Sequence, residues 1–167
     1  MAPMLWSSRV MIRRFLYPKI EEMMLRQLAD GGARPEDFLE PFGEDALVSS
    51  DSISWSVFAN PVTLVIGGIA AVILELAEPK IRTGVWDHTT FRTDPLKRMR
   101  RTGAAAMVTV YAARSRAVRM IENVRRMHDR VKGTTPDGIP YQANDPDLLR
   151  WVHSTAAFGF LEAYHRY

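Results

Sequence analysis

Apolar residues recur along this chain at steps of three and four and nowhere alternate over a strand-length run, so the pattern predicts helices. From about Leu5 to Ala29, Leu16, Ile20, Met23, Met24 and Leu28 share one face, and Pro18 kinks or splits the helix. Asp30-Gly31-Gly32 ends it. The stretch from Ala33 to Asp51 holds Pro35, Pro41 and Gly43 and predicts a short helical turn within a connector. Asp51 or Ser52 opens a helix through Ile53, Trp55, Val57 and Phe58, and Asn60-Pro61 starts the next, with a capping side chain ahead of an N-terminal proline. That helix, Val62 to Ala77, is apolar around most of its circumference and is expected to be interior. Gly67-Gly68 at its centre costs about 1 kcal/mol per glycine relative to alanine. Such a pair makes sense where another helix, or a flat ligand, approaches the backbone closely.

Glu78-Pro79 breaks the apolar helix, Lys80 to Val85 reads as a short helical piece, and Trp86 to Thr93 as a loop. Asp94-Pro95 repeats the cap-then-proline signal and opens a helix to about Ala112. After a joint at Ala113–Ser115, a helix runs from Ala117 to Val131 and stops at Gly133. A loop follows, and Asp145-Pro146 starts a last helix that continues to the terminus. The expected fold is all-α, a single globular multi-helix domain with an N-terminal helix and connector over 1–50 and a helical body over 51–167.

At 167 residues the chain has the size of one domain with one sizeable core. Its 47% hydrophobic and 25% charged residues are those of a folded protein. The net charge of +3 is modest and spread along helices, with no nucleic-acid motif beside it, so no nucleic-acid partner is expected. Cysteine is absent, which excludes disulfides, thiolate-ligated haem, cysteine-held iron–sulfur clusters and cysteine zinc sites. The apolar run Val62–Leu74 is shorter than the roughly 20 residues of a membrane span, which leaves only peripheral membrane contact open. With no secretory pattern in Met1–Tyr17, the expected location is cytoplasmic.

Few residues offer chemistry. Ile121, Val124, His128 and Val131 lie on one stripe, so His128 is expected to point inward, either as a hydrogen-bonded core residue or as a metal ligand. His153 repeats the pattern with Leu149, Ala156 and Phe160. His88 and His165 lack spacing partners. Arg98 and Thr102 share a face, with Arg101 adjacent. Cations near a helix start oppose the macrodipole, which suggests an anion clamp as an alternative to a solvated cluster. Glu75 and Glu78 border the apolar helix, where a carboxylate becomes a base if burial raises its pKa, or else is a helix-end surface charge.

Val65-Ile66-Gly67-Gly68-Ile69-Ala70-Ala71, Gly84-Val85 with Phe91, Asp94-Pro95…Arg98…Thr102, Met127-His128…Val131…Gly133 and Tyr141…Asp145-Pro146…Leu149…Trp151-Val152-His153 occur in this order. Together they resemble the MpaB/rubber-oxygenase (latex-clearing protein) family over roughly Ser54 to Tyr164. The resemblance implies an all-helical oxygenase domain that binds haem b, with His128 as the iron ligand. It places Arg98 and Thr102 along the distal side or the haem edge, and Gly67, Gly68 and His153 beside the cofactor. Where rubber oxygenase has a lysine that approaches the iron, this chain has Arg101, a poor iron ligand because it stays protonated. The family's distal glutamate is not assigned to Glu75 or Glu78 by motif. Family domains continue past the Trp–Val–His helix, so a domain shortened at the C-terminus is implied.

The expected function is therefore that of a haem-dependent oxygenase using dioxygen and a hydrophobic small molecule, isoprenoid or lipid-like. Arg98, Arg101 and Thr102 are its candidate catalytic residues. The alternative is a non-catalytic helical binding or assembly module that keeps the fold without haem. A homodimer would be the simplest cover for apolar surface left open by missing helices.

Overall fold

The computed structural model describes residues 22, 26 and 29–167; the rest of the expected helix over 5–29, including its Pro18 break, lies outside the described residues. Seven α-helices follow: α1 (Pro35–Leu39), α2 (Ile53–Ala59), α3 (Pro61–Glu75), α4 (Pro79–His88), α5 (Pro95–Tyr111), α6 (Arg114–His128) and α7 (Pro146–Arg166). The local start signals act as read. Asn60 Oδ1 accepts from the Val62 and Thr63 amides, Asp94 from Lys97, Asp145 from Asp147 and Ser52 from Trp55, while Glu78, read from the sequence as a helix break, also caps the next helix by accepting from Lys80. Each satisfies backbone donors that the first helical turn leaves free.

α6 lacks such a cap, because Ala113 precedes it. Glu44, from the connector, supplies one: its carboxylate accepts from the Ser115 amide at 2.9 Å and hydroxyl at 2.8 Å. Arg116 adds ion pairs to Asp37 at 3.7 Å and Glu40 at 3.1 Å. Ala33, Ala104, Val108 and Ala112 form the core between connector and α5, with Phe38 and Met120 packed around them.

Three expectations about elements are corrected. The region after Gly133 is not strand-free: Lys132–Thr134 (β1) pairs antiparallel with Pro140–Gln142 (β2), Lys132 opposite Gln142. Three-residue strands are too short for an alternating pattern to show. The supposed loop Trp86–Thr93 is largely helical, since α4 runs to His88 and a 3-10 turn spans Thr90–Arg92, its Phe91 amide donating to Thr89 Oγ1. α6 ends at His128, so Val131 lies beyond the helix.

The largest correction concerns α3. It is not interior all round. Thr63, Gly67, Ala71 and Glu75, one residue per helical turn, are its buried residues. α7 answers with Thr155, Gly159 and Ala163, again at steps of four. The helices meet along these small residues, and a Cβ on Gly67 would come within 2.8 Å of the Phe160 Cα. Close approach turns the bulky residues outward: Val65 is 54% exposed, Ile73 66% and Phe158 on α7 59%. Small residues inside and large apolar residues outside reverse the usual arrangement in water. Among the described residues no single helix is long and apolar enough to cross a membrane; α2 and α3, bent by 100° at Asn60, have the length and composition only together.

Candidate functional site

Glu75 closes α3 and Arg98 sits in the second turn of α5, and the fold brings them face to face. Arg98 Nη2 lies 3.9 Å from Glu75 Oε2, with the side chains 17% and 12% exposed. The guanidinium also stands over the Phe91 ring, 6.0 Å from its centroid. Phe91 in turn packs on Trp86 at 5.9 Å, and Arg92 covers the Trp86 ring at 5.8 Å. Arg98 Nη1 is buried with no hydrogen-bond partner, a donor left spare in a nonpolar setting. Burial pushes the Glu75 carboxyl above its usual range, and the nearby Arg98 charge offsets this only in part. Of the two glutamates considered from sequence, Glu75 is the buried one; Glu78 caps α4.

The rest of the arginine cluster stands differently. Arg101 and Thr102 are exposed, and the Thr102 hydroxyl donates to the Arg98 carbonyl at 3.1 Å, back onto its own helix. Only Arg98 of the three reaches the buried carboxylate.

His128 is the last residue of α6 and is half-buried. Its stripe is less interior than the sequence suggested, as Ile121 is exposed and Val124 and Val131 are half-buried. Desolvation still dominates the ring: burial lowers its pKa, against smaller opposing effects of a hydrogen bond with the Asn144 side chain and the Asp129 charge. The neutral imidazole is thereby favoured at pH 7, the form that binds a metal. Asn144 is the residue sequence reasoning missed. It falls between Tyr141 and Asp145-Pro146, and no local periodicity marks it, because its partners lie on α6.

Several remaining expectations change. His153 is exposed on α7, so its ring does not share an interior stripe with Leu149, itself 42% exposed. Gly67 is covered by Phe160 and Gly159, which makes it a helix-contact glycine and not a ligand face. Gly68 has ordinary space, its nearest neighbour being Phe160 Cζ at 3.9 Å from a built Cβ. His88, unpaired by sequence spacing, has its Nε2 3.2 Å from Tyr141 Oη. Tyr141 is buried against Gly84 and Gly133, so three separate motif blocks converge at the hairpin.

Two groups here are open to a ligand by their chemistry: the half-buried His128 imidazole, which desolvation keeps toward its neutral form, and Arg98 Nη1, a buried donor without a partner that could meet a carboxylate. Among the described residues no three His, Cys, Asp or Glu side chains gather as a metal cluster. Two open surface depressions, of about 500 and 300 Å3, lie on the β-hairpin and on the outer side of α6, and neither is lined by His128 or Arg98.

Residues 55–167 match the family model described as "ER-bound oxygenase mpaB/B'/Rubber oxygenase, catalytic domain". No curated protein and no solved structure matches the chain.

Proposed function

The chain belongs to the MpaB/rubber-oxygenase catalytic-domain family, and from that premise we propose that it is a haem b-dependent oxidoreductase acting with dioxygen on a hydrophobic, isoprenoid or lipid-like substrate. The family speaks for oxygenase-type chemistry; cofactor and substrate class are the further step. The observation that carries this step is the half-buried His128, whose ring is kept toward its neutral form by desolvation. His128 would hold the iron, and Arg98 would bind a propionate through the nitrogen that has no partner in the fold. Haem, when bound, supplies the activation of dioxygen for attack at or beside a carbon–carbon double bond. Glu75, whose pKa burial raises, is the group suited to take up and return a proton. Phe91 and Trp86 line the same side as Arg98 and help exclude water from its charge. Arg101 and Thr102 are exposed, away from the buried Arg98–Glu75 pair.

The test is the absorption spectrum of the protein after haemin reconstitution. A Soret band that disappears in His128→Ala supports the proposal; a colourless reconstituted wild type overturns it.

A second reading is favoured by one specific observation, the bulky apolar residues that α3 and α7 turn outward. Under it the domain is a binding or assembly module, and that face meets a membrane surface peripherally or a second copy of the chain. Light scattering and flotation with phosphatidylcholine vesicles decide between monomer, dimer and lipid-bound protein.

A further inference from the structure

Positive charge gathers on α6. Between Arg114 and Lys132 fall seven cations and two carboxylates, Glu122 and Asp129, so this stretch carries more positive charge than the +3 that the whole chain nets. Arg116 is taken up by its ion pairs to Asp37 and Glu40. The other six cations are exposed and form no ion pair among the described residues. Ala117, Met120 and Val124 turn inward, with Met120 packed on the core at α5. Arg119, Asn123 and Arg126, at steps of four and three, form a ridge on the opposite side, which Arg130 extends past the helix end. Apolar side chains stand exposed among these cations: Val118 at 39% and Ile121 at 45% on one flank, Met127 at 50% on the other. Asn123, Arg126, Met127 and Arg130 line the open depression of about 300 Å3. Arg126 Nη2 donates to Asn123 Oδ1, which tethers the guanidinium at the edge of the depression and leaves further N–H donors for another acceptor.

We propose that this side of α6 docks on a bilayer surface containing anionic phospholipids, with the arginines on headgroup phosphates and Ile121 and Met127 reaching toward the acyl boundary. Charge complementarity sets the sign of the partner, since each Lys or Arg near an anionic leaflet raises partition about fivefold. Five of the six cations without an ion pair are arginines, whose planar fork binds a phosphate through two N–H groups. The interleaved apolar residues favour lipid over nucleic acid, whose charged backbone gives them nothing apolar to enter. The docking does not depend on a haem at His128, which belongs to the inward stripe. It also differs from the apolar contact open to α3, which has no charged residue from Val62 to Leu74 and so no preference for an anionic bilayer.

The experiment is flotation of the full chain with vesicles of phosphatidylcholine alone and of phosphatidylcholine mixed with phosphatidylserine. It is run in low salt and in about 1 M NaCl, where the Debye length shrinks to about 3 Å. The wild type should float with the anionic vesicles in low salt and be released in high salt. Arg119→Gln, Arg126→Gln and Arg130→Gln together should lower the partition coefficient about 100-fold, and Arg126→Gln alone, which serves if the triple variant fails to fold, about fivefold. Arg119→Lys, Arg126→Lys and Arg130→Lys together keep the charge and should keep most of the binding. Ile121→Ser with Met127→Ser should weaken binding and leave its salt dependence in place. No flotation, salt-resistant flotation, or glutamine variants that float like the wild type overturn the proposal. Equal flotation with neutral vesicles overturns it too and assigns the membrane contact to α3 and α7. A labelled DNA duplex that displaces the protein from anionic vesicles, and binds Ile121→Ser with Met127→Ser as tightly as the wild type, replaces the lipid with nucleic acid as the partner.

Discussion

Adjacent glycines on α3 should respond in opposite directions to the same substitution. Gly68→Ala places a methyl group where the nearest atom is 3.9 Å away, so helix propensity decides and about 1 kcal/mol is gained. Gly67→Ala gains the same propensity but sets its Cβ 2.6 Å from Phe160 Cδ1 and 2.8 Å from Phe160 Cα. The ring could swing away; the backbone cannot, so α3 and α7 must separate along their shared face. Overpacking of this kind costs roughly 1–3 kcal/mol, and a backbone contact belongs at the upper end. The net expectation is a loss of about 2 kcal/mol for Gly67→Ala. At roughly 2–4 °C per kcal/mol for a chain of this size, Tm should fall by about 4–8 °C, against a rise of about 2–4 °C for Gly68→Ala. Thermal and urea unfolding followed by far-UV circular dichroism measure both. Equal stability of the two variants would refute the close α3–α7 approach, and with it the explanation for the outward-facing bulky residues.

Removing Arg98 should strand a buried carboxyl. Arg98→Met is expected to lose about 1–3 kcal/mol of stability, and Glu75→Gln in that background should recover part of it; strictly additive losses in urea titrations would show that the pair is uncoupled. Because folded Glu75 keeps its proton to higher pH than a free glutamate carboxyl, whose ordinary pKa is 4.5, its contribution to stability is complete below about that pH and is lost as pH rises toward the folded value. Glu75→Gln should therefore flatten the decline in stability just above pH 4.5, and an unchanged pH profile would count against the burial effect. Val65→Ser together with Ile73→Ser should change unfolding free energy by no more than about 0.5 kcal/mol per site while lowering any vesicle binding or self-association; a steep drop in Tm would mean that this face is packed.

What the sequence by itself determined was local. Asn60-Pro61, Asp94-Pro95 and Asp145-Pro146 set helix starts because a cap acts within three residues of itself, and no distant contact is needed. The five ordered motif blocks sufficed for the family. The tertiary structure alone decided which side of α3 faces in, because a helix apolar all round has no polar face to orient it; the smallness of Thr63, Gly67 and Ala71 then prevails over the hydrophobicity of Val65 and Ile73. It likewise decided that Arg98 meets Glu75, far away in sequence, and that Asn144 fastens onto α6 from a loop beyond the hairpin. Such pairings leave no periodic trace, since charge attraction and hydrogen bonding act through space while the sequence records only neighbours along the chain.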